Sequence, residues 1–140
     1  MASNAIFLPV LSLMAITCLV WSYMYALRLP YLNALKIDLQ SVNTSEKMMS
    51  AMNDRVNYPA YNLNNLTELP ALFYVTCIVA HLSQTVDQSI VVGAWLYVIF
   101  RALHSLIHCT YNNVMQRFIA YLMSCITLWF LVGKTLLSII

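Results

Sequence analysis

Charged and helix-breaking residues are scarce in this chain of 140 residues. Asp, Glu, Lys and Arg make up 9% of it, glycine occurs twice and proline four times, whereas hydrophobic residues make up 61%. A soluble globular domain needs more charged and polar residues than this to cover its surface. The composition therefore excludes a water-soluble domain. The formal net charge of +2 is too small to bind a nucleic-acid backbone, so we expect no nucleic-acid partner.

Paired cysteines are also missing from the sequence. Cys18, Cys77, Cys109 and Cys125 lie far apart inside apolar runs, and no two have the CxxC spacing. This distribution argues against a disulfide framework and against a zinc site. We expect the cysteines to pack as small apolar residues between helices.

Four apolar runs are each long enough to cross a bilayer, which takes about 20 residues. They cover residues 6–27, 66–82, 89–109 and 118–140. The predicted fold is therefore all-α: a transmembrane four-helix bundle that forms one membrane domain over residues 1–140. The long polar segment 33–65 is predicted to be a cytoplasmic loop with a helix extension. The other two connections are short, which makes consecutive helices antiparallel neighbours.

The basic residues indicate how the bundle is oriented. Those that lie in or border the first and third loops are Arg28, Lys36, Lys47, Arg55 and Arg117. The opposite side has Asp87 and, at its edge, Lys134. The positive-inside rule then puts loops one and three in the cytoplasm and both termini on the other side of the membrane.

Polar side chains occur at depths where membrane helices rarely tolerate them. On the third helix the spacing i, i+3, i+7 and i+10 places four on one face: Arg101, His104, His108 and Tyr111. This stripe cannot face lipid, because an ionisable group at membrane depth costs about 2.5 to 3.5 kcal/mol. On the second helix Asn65 and Glu68 share a face, and Tyr61 lies one turn earlier.

Two interpretations of these polar residues are open. In the structural interpretation, Arg101 and Glu68 form an ion pair, and the histidines bond to neighbouring groups. In the functional interpretation, the stripe and the Asn65–Glu68 face enclose a polar cleft that opens to the cytoplasm and suits an anionic ligand. Pro70 would kink the second helix and widen such a cleft.

Histidine-bound cofactors fit the sequence less well. A bis-histidine haem would need His81 level with His104 or His108, but helical rise separates their depths by about 15 Å. A metal held by His104 and His108 lacks a recognisable third ligand. We therefore predict no metal site.

Two segments resemble the second-helix and third-helix signatures of the MAPEG family, the membrane-associated proteins in eicosanoid and glutathione metabolism. The first is Asn-Leu-Thr-Glu-Leu-Pro-Ala-Leu-Phe-Tyr at 65–74. The second is Arg-Ala-Leu-His-Ser-Leu-Ile-His at 101–108, followed by Tyr111, Asn112, Arg117 and Phe118. Together with four predicted spans, the resemblance covers the whole chain.

This resemblance implies a homotrimer that binds glutathione, as a co-substrate, between protomers near the cytosolic face. Carried over by position, Asn65 and Glu68 would hold polar groups of the glutathione backbone. Arg101 would lie in the cleft wall and Arg117 would approach the thiol or a carboxylate, which makes these two arginines the expected catalytic residues. The other expected binding residues are Arg28, Tyr61, His104, His108 and Tyr111.

Departures from the family pattern concern activity. Catalytic relatives usually carry an arginine one turn before the Asn, where this chain has Tyr61, and His108 stands where several relatives have a tyrosine. The sequence looks closer to the bacterial branch of the family, and we expect it in the bacterial inner membrane.

Two functions compete at this stage. The first is an integral-membrane, glutathione-dependent transferase or peroxidase for lipophilic electrophiles or lipid hydroperoxides. The second is a non-catalytic MAPEG-like protein that binds membrane lipid or a partner membrane protein as a structural or regulatory subunit.

Overall fold

The computed structural model describes residues 3–140, and every regular element in that range is helical. A short 3₁₀ turn, Ser3–Ile6, precedes six α-helices: α1 (Phe7–Ala34), α2 (Ser45–Ser50), α3 (Asp54–Thr67), α4 (Leu69–Leu82), α5 (Gln88–Cys109) and α6 (Val114–Ile139). Four segments of the described chain are long and apolar enough to span a membrane: Asn4–Ala34, Asp54–Leu82, Gln88–Cys109 and Val114–Ile139. The predicted class, an all-α bundle with four spans, is confirmed.

Helix α1 is longer than a bilayer requires. Its 28 residues extend about 42 Å at 1.5 Å per residue, against about 30 Å of hydrocarbon. Its last turns pack against the chain that follows. Leu32 of α1 forms a small separate core there with Met52 and Val56. Much of the segment between the first two spans is therefore ordered against α1, and the second span is already helical from Asp54.

The second span is interrupted at Glu68, between α3 and α4. Glu68 has φ −84° and ψ −93°, which ends α3, and α4 then begins with Pro70 in its first turn. Proline has no N–H to donate, and its ring clashes with the carbonyl four residues earlier, so a continuous helix is disfavoured here. The sequence predicted a kink at Pro70, and the structure places the interruption two residues before it.

Helix α5 occupies the centre of the bundle, packing most extensively on α6 and also on α1 and α3. Phe73 of α4 stacks on Tyr97 of α5 at 4.4 Å between ring centroids, and both side chains are fully buried. Gly93 leaves the space into which Leu131 of α6 packs, because a Cβ at Gly93 would lie 2.9 Å from Leu131 Cδ2. These contacts fix the face of α5 that carries Arg101.

Asp87, which precedes α5, links the start of α5 to the end of α6. Asp87 Oδ1 accepts hydrogen bonds from the Ile90 N–H at 2.9 Å and the Ser89 hydroxyl at 2.6 Å, so it caps α5. Asp87 Oδ2 lies 3.0 Å from Lys134 Nζ on α6. Hydrogen bonds from Ser89 and Ile90, together with Lys134, hold the pKa of the Asp87 carboxyl well below its ordinary value.

Candidate functional site

The polar stripe on α5 faces the protein interior. Arg101 is 0% exposed, and His104 and His108 are each 4% exposed. The expectation that these three side chains turn away from lipid is confirmed. Tyr111 does not share their position, because α5 ends at Cys109 and Thr110 has non-helical torsions. Its side chain is 63% exposed, and its hydroxyl donates to Gln116 Oε1 at 2.6 Å.

Arg101 ties α5 to the end of α3. Its Nη2 donates to the main-chain oxygen of Asn65 at 2.7 Å. The last carbonyls of a helix lack intrahelical donors, so the interruption at Glu68 makes such an acceptor available. The alternative ion pair with Glu68 is not formed: Glu68 is exposed, and the salt bridge found within residues 3–140 is Asp87–Lys134. Nε and Nη1 of Arg101 are buried without a hydrogen-bond partner in the described chain.

A cavity of about 210 Å³ opens beside this stripe, near the end of α5 and the start of α6. Its lining residues come from α3, α5 and α6: Asn65, His104, His108, Val114, Arg117, Phe118 and Tyr121. The structure therefore brings together four residues that the sequence singled out. Arg101 is not one of the lining residues, although its guanidinium carbon lies 5.8 Å from the centre of the Tyr121 ring.

The two histidines of the cavity are held by different partners. His104 Nδ1 donates to the Arg117 main-chain oxygen at 3.0 Å, since a carbonyl can only accept. His108 Nδ1 lies 3.4 Å from the amide nitrogen of Asn62, which donates to it. A neutral His108 therefore carries its hydrogen on Nε2, where it can serve as a donor. The rings meet edge to face, with 5.5 Å between centroids.

Arg117 supplies the cavity with a cation from the first turn of α6. Its Nη1 donates to Asn112 Oδ1, which directs the guanidinium back towards the third loop. Asn112 adopts a left-handed φ of 49°, a conformation that Asn tolerates better than most residues. Asn113 then caps α6 by accepting from Gln116 N at 3.0 Å. The loop thus positions Arg117 through two successive asparagines.

Other predicted site residues lie outside the cavity. Glu68, Tyr61 and Tyr111 are exposed on the surface of the chain, and Arg28 is partly buried on α1. The Asn65 amide does not reach across to α5, because its Nδ2 donates to the Tyr61 carbonyl within α3 at 3.0 Å. In a single chain Glu68, Tyr61, Tyr111 and Arg28 therefore do not line the cavity with His108 and Arg117.

Asn62 and Tyr121 are site residues that the sequence analysis missed. Asn62 is fully buried against His108, and Tyr121 lines the cavity. Spacing carried a usable signal for both: Asn62 lies three residues before Asn65, and Tyr121 lies four after Arg117, so each shares a helix face with a residue already identified.

Fold and site together define an integral, multi-pass membrane protein with a basic, histidine-containing cavity at one end of four helical spans. The chain matches the model of the MAPEG family over residues 6–137. The protein therefore belongs to the MAPEG family, membrane proteins of glutathione and eicosanoid metabolism. Neither the curated proteins nor the solved structures include a match to this chain.

Proposed function

We propose that this protein is a glutathione-dependent transferase or peroxidase that acts on lipophilic electrophiles or lipid hydroperoxides within the membrane. The observation that carries the proposal is the cavity beside Asn65, which His108 and Arg117 both line. Glutathione is an anionic tripeptide with a thiol, and such a ligand needs cationic and N–H donors in a partly desolvated cleft. Arg117 and His108 are the groups that supply them.

Arg117 is the residue we assign to the thiol. A nearby guanidinium favours the charged form of a thiol, so it increases the share of reactive thiolate. In transfer, the thiolate sulfur attacks an electrophilic carbon, a C–S bond forms and the leaving group departs with the bonding electrons. In peroxide reduction, the sulfur attacks the terminal oxygen and the lipid alcohol leaves. The resulting sulfenic acid reacts with a second glutathione to give the disulfide and water.

Arg101 is assigned a positioning role. Its side chain is completely covered and is bonded to the Asn65 carbonyl, so it has no surface to offer a ligand in this conformation. By fixing the last turn of α3, it sets where Asn65 stands at the cavity wall. Of the two arginines predicted to be catalytic, Arg117 is therefore the one proposed to contact glutathione.

A homotrimer would complete the site. The cavity of about 210 Å³ is smaller than the roughly 300 to 1,000 Å³ of a typical ligand site. The exposed Tyr61 lies on α3 with Asn65, and the exposed Glu68 follows the last residue of that helix. We propose that a neighbouring protomer covers this surface and that Arg28, Tyr61, Glu68 or Tyr111 bind glutathione at the junction.

The orientation of the chain belongs to the same proposal. Loops one and three would face the cytoplasm of a bacterium, with both termini on the other side of its inner membrane. Cys18 and Cys125 are not buried, so they would be replaced before a labelling experiment. Single cysteines introduced at Lys47 and Gln84, in a background without accessible thiols, would be labelled by an impermeant maleimide from opposite sides if this orientation is correct.

A non-catalytic role is the competing function. It is favoured by the complete burial of Arg101 and by the position of Glu68 outside the cavity. Under this alternative the stripe serves assembly, and the protein binds a lipid or a partner membrane protein as a structural or regulatory subunit.

Turnover separates the two functions. The purified oligomer would be assayed with glutathione and either an aryl halide or a lipid hydroperoxide, alongside Arg117→Ala and Glu68→Gln. Lys47→Gln is a matched control, because Lys47 is an exposed base on α2 whose ammonium bonds to Asn43. We expect activity in the wild type and the control, and its loss in Arg117→Ala. Absence of turnover and of binding at millimolar glutathione would leave the non-catalytic role.

A further inference from the structure

A second pair of cavities lies on another face of the chain, away from His108 and Arg117. The larger, about 580 Å³, is a groove between α1 and α5 whose lining is mostly apolar: Ile16, Leu19, Val20, Tyr23, Ala102, Ser105, Leu106, Cys109 and Thr110. The smaller, about 450 Å³, lies where α5 ends and α3 begins, and is lined by Tyr23, Arg55, Tyr58, Cys109, Thr110 and Tyr111. Tyr23, Cys109 and Thr110 line both, so the two cavities adjoin.

The apolar groove follows from small side chains on one face of α5. Ala102, Ser105 and Cys109 have the spacing i, i+3, i+7, and they leave a hollow against α1. Ser105 is 4% exposed, and its hydroxyl has no hydrogen-bond partner among the described residues. From Ala102 to Thr110 the groove is about 12 Å long at 1.5 Å per residue, which suits an extended hydrocarbon chain.

The polar end of the groove carries one unpaired cation. Arg55 is exposed in the first turn of α3, and its side chain makes no ion pair or hydrogen bond with any residue in 3–140. Three tyrosines, Tyr23, Tyr58 and Tyr111, line the same cavity as Arg55. Tyrosine is enriched at the membrane–water interface because its ring is apolar and its hydroxyl is polar. A guanidinium binds a phosphate through two parallel N–H donors.

We propose that the two adjoining cavities together bind one acidic phospholipid, with an acyl chain in the groove between α1 and α5 and the phosphodiester at Arg55. The single guanidinium matches a headgroup with one net negative charge, whereas a zwitterionic headgroup would bring a second cation beside Arg55. A helix from another protein would fill the apolar part but would leave Arg55 without an anion. The groove has no lining residue in common with the cavity that contains His108 and Arg117. Tyr111 is the one groove residue that is also proposed to bind glutathione, so neither test below alters it.

Native mass spectrometry of the full-length protein tests this site. The protein would be incubated with equal amounts of phosphatidylglycerol and phosphatidylcholine of the same acyl chains, and the lipids retained on each protomer would be counted. One arginine near a membrane surface favours an anionic lipid by about fivefold. We expect the wild type to retain about five times as much phosphatidylglycerol as phosphatidylcholine. In Arg55→Gln the two lipids should be retained in nearly equal amounts.

Ala102→Phe tests the acyl part of the site by filling the groove. We expect it to retain little of either lipid, and Ala102→Leu serves the same purpose if the phenylalanine variant does not fold. The matched controls are Lys47→Gln for Arg55 and Leu103→Phe for Ala102, because Lys47 and Leu103 line neither cavity. Both controls should behave like the wild type.

Three results would overturn the proposal. Wild-type selectivity in Arg55→Gln would show that the headgroup does not bind there. Undiminished lipid retention in Ala102→Phe would show that the chain lies outside the groove. A smaller oligomer in Ala102→Phe, with lipid retention unchanged, would show that a second copy of this chain occupies the groove.

Discussion

Nη2 of Arg101 donates a hydrogen bond of 2.7 Å to the main-chain oxygen of Asn65, which joins the centre of α5 to the last turn of α3. The acceptor lies just before the interruption at Glu68, and the donor is completely covered. An arginine and a helix break therefore combine to fix the wall of the candidate site.

Replacing Arg101 by methionine should change binding far more than stability. The lost charged hydrogen bond is worth about 1.5 to 3 kcal/mol, and removing a cation from membrane depth relieves about 2.5 to 3.5 kcal/mol. These terms nearly cancel, so the thermal midpoint in detergent should move by only a few degrees, while glutathione binding weakens. A sharp fall in thermal stability with binding intact would make Arg101 purely structural. Leu103→Met is the control on the lipid-facing side of the helix.

Pro70→Ala should allow α3 and α4 to join. Residue 70 would regain an N–H for the Leu66 carbonyl, and the steric clash at the first turn of α4 would disappear. We expect slower amide hydrogen exchange over residues 66–71 and weaker glutathione binding, because the Asn65 carbonyl would turn away from Arg101. Pro30→Ala, at an exposed position within α1, is the control. Unchanged exchange at 66–71 would mean that the interruption does not depend on the proline.

Asp87 makes the stability of the bundle end opposite the candidate site depend on pH. Because its folded pKa is lowered, its contribution is fully present above about pH 4, the ordinary value for aspartate, and is lost as the pH falls towards the lowered pKa. At pH 7, Asp87→Ala should lower the thermal midpoint, since losing an N-cap costs about 1 kcal/mol. Asp87→Asn keeps the cap and should cost less, since an exposed ion pair is worth about 0 to 1 kcal/mol.

Thermal unfolding of these variants at pH 7 and pH 3 checks the sign of the effect. The difference in thermal midpoint between the wild type and Asp87→Ala should be smaller at pH 3 than at pH 7. A larger difference in thermal midpoint at pH 3 would contradict the lowered pKa of Asp87.

The two glycines provide a matched pair for packing. A Cβ at Gly93 would meet Leu131 Cδ2 at 2.9 Å, whereas a Cβ at Gly133 would meet nothing within 4 Å. Replacing glycine by alanine inside a helix gains roughly 0.5 to 1 kcal/mol where there is room. Gly133→Ala should therefore raise the thermal midpoint, and Gly93→Ala should raise it less or lower it. The reverse order would mean that Gly133 packs against another protomer.

Sequence reasoning located the main elements because lipid imposes strong rules on them. Long apolar runs predict spans, and the spacing of Arg101, His104 and His108 predicts one buried face. It failed at Tyr111 because the spacing was continued past Cys109, where the helix ends. The orientation of Glu68 could not be read from its spacing with Asn65 either, since the backbone leaves helical geometry at that residue.

Tertiary partners were harder to predict than helix faces. Asn62 with His108, and Arg101 with the Asn65 carbonyl, join residues 46 and 36 positions apart. Opposite charges suggested Glu68 as the partner of Arg101, but a main-chain oxygen carries no signature in the sequence. Only the packing of α3 on α5 decides which of the two acceptors the guanidinium reaches.

Calorimetric titration of glutathione into the wild-type oligomer and into Arg117→Gln tests the central claim most directly. A charged hydrogen bond is worth about 1.5 to 3 kcal/mol, so the variant should bind roughly 10-fold to 100-fold more weakly, while Lys47→Gln binds like the wild type. Equal affinity for glutathione in the wild type and Arg117→Gln, or no binding to either, would contradict the assignment of this cavity to glutathione.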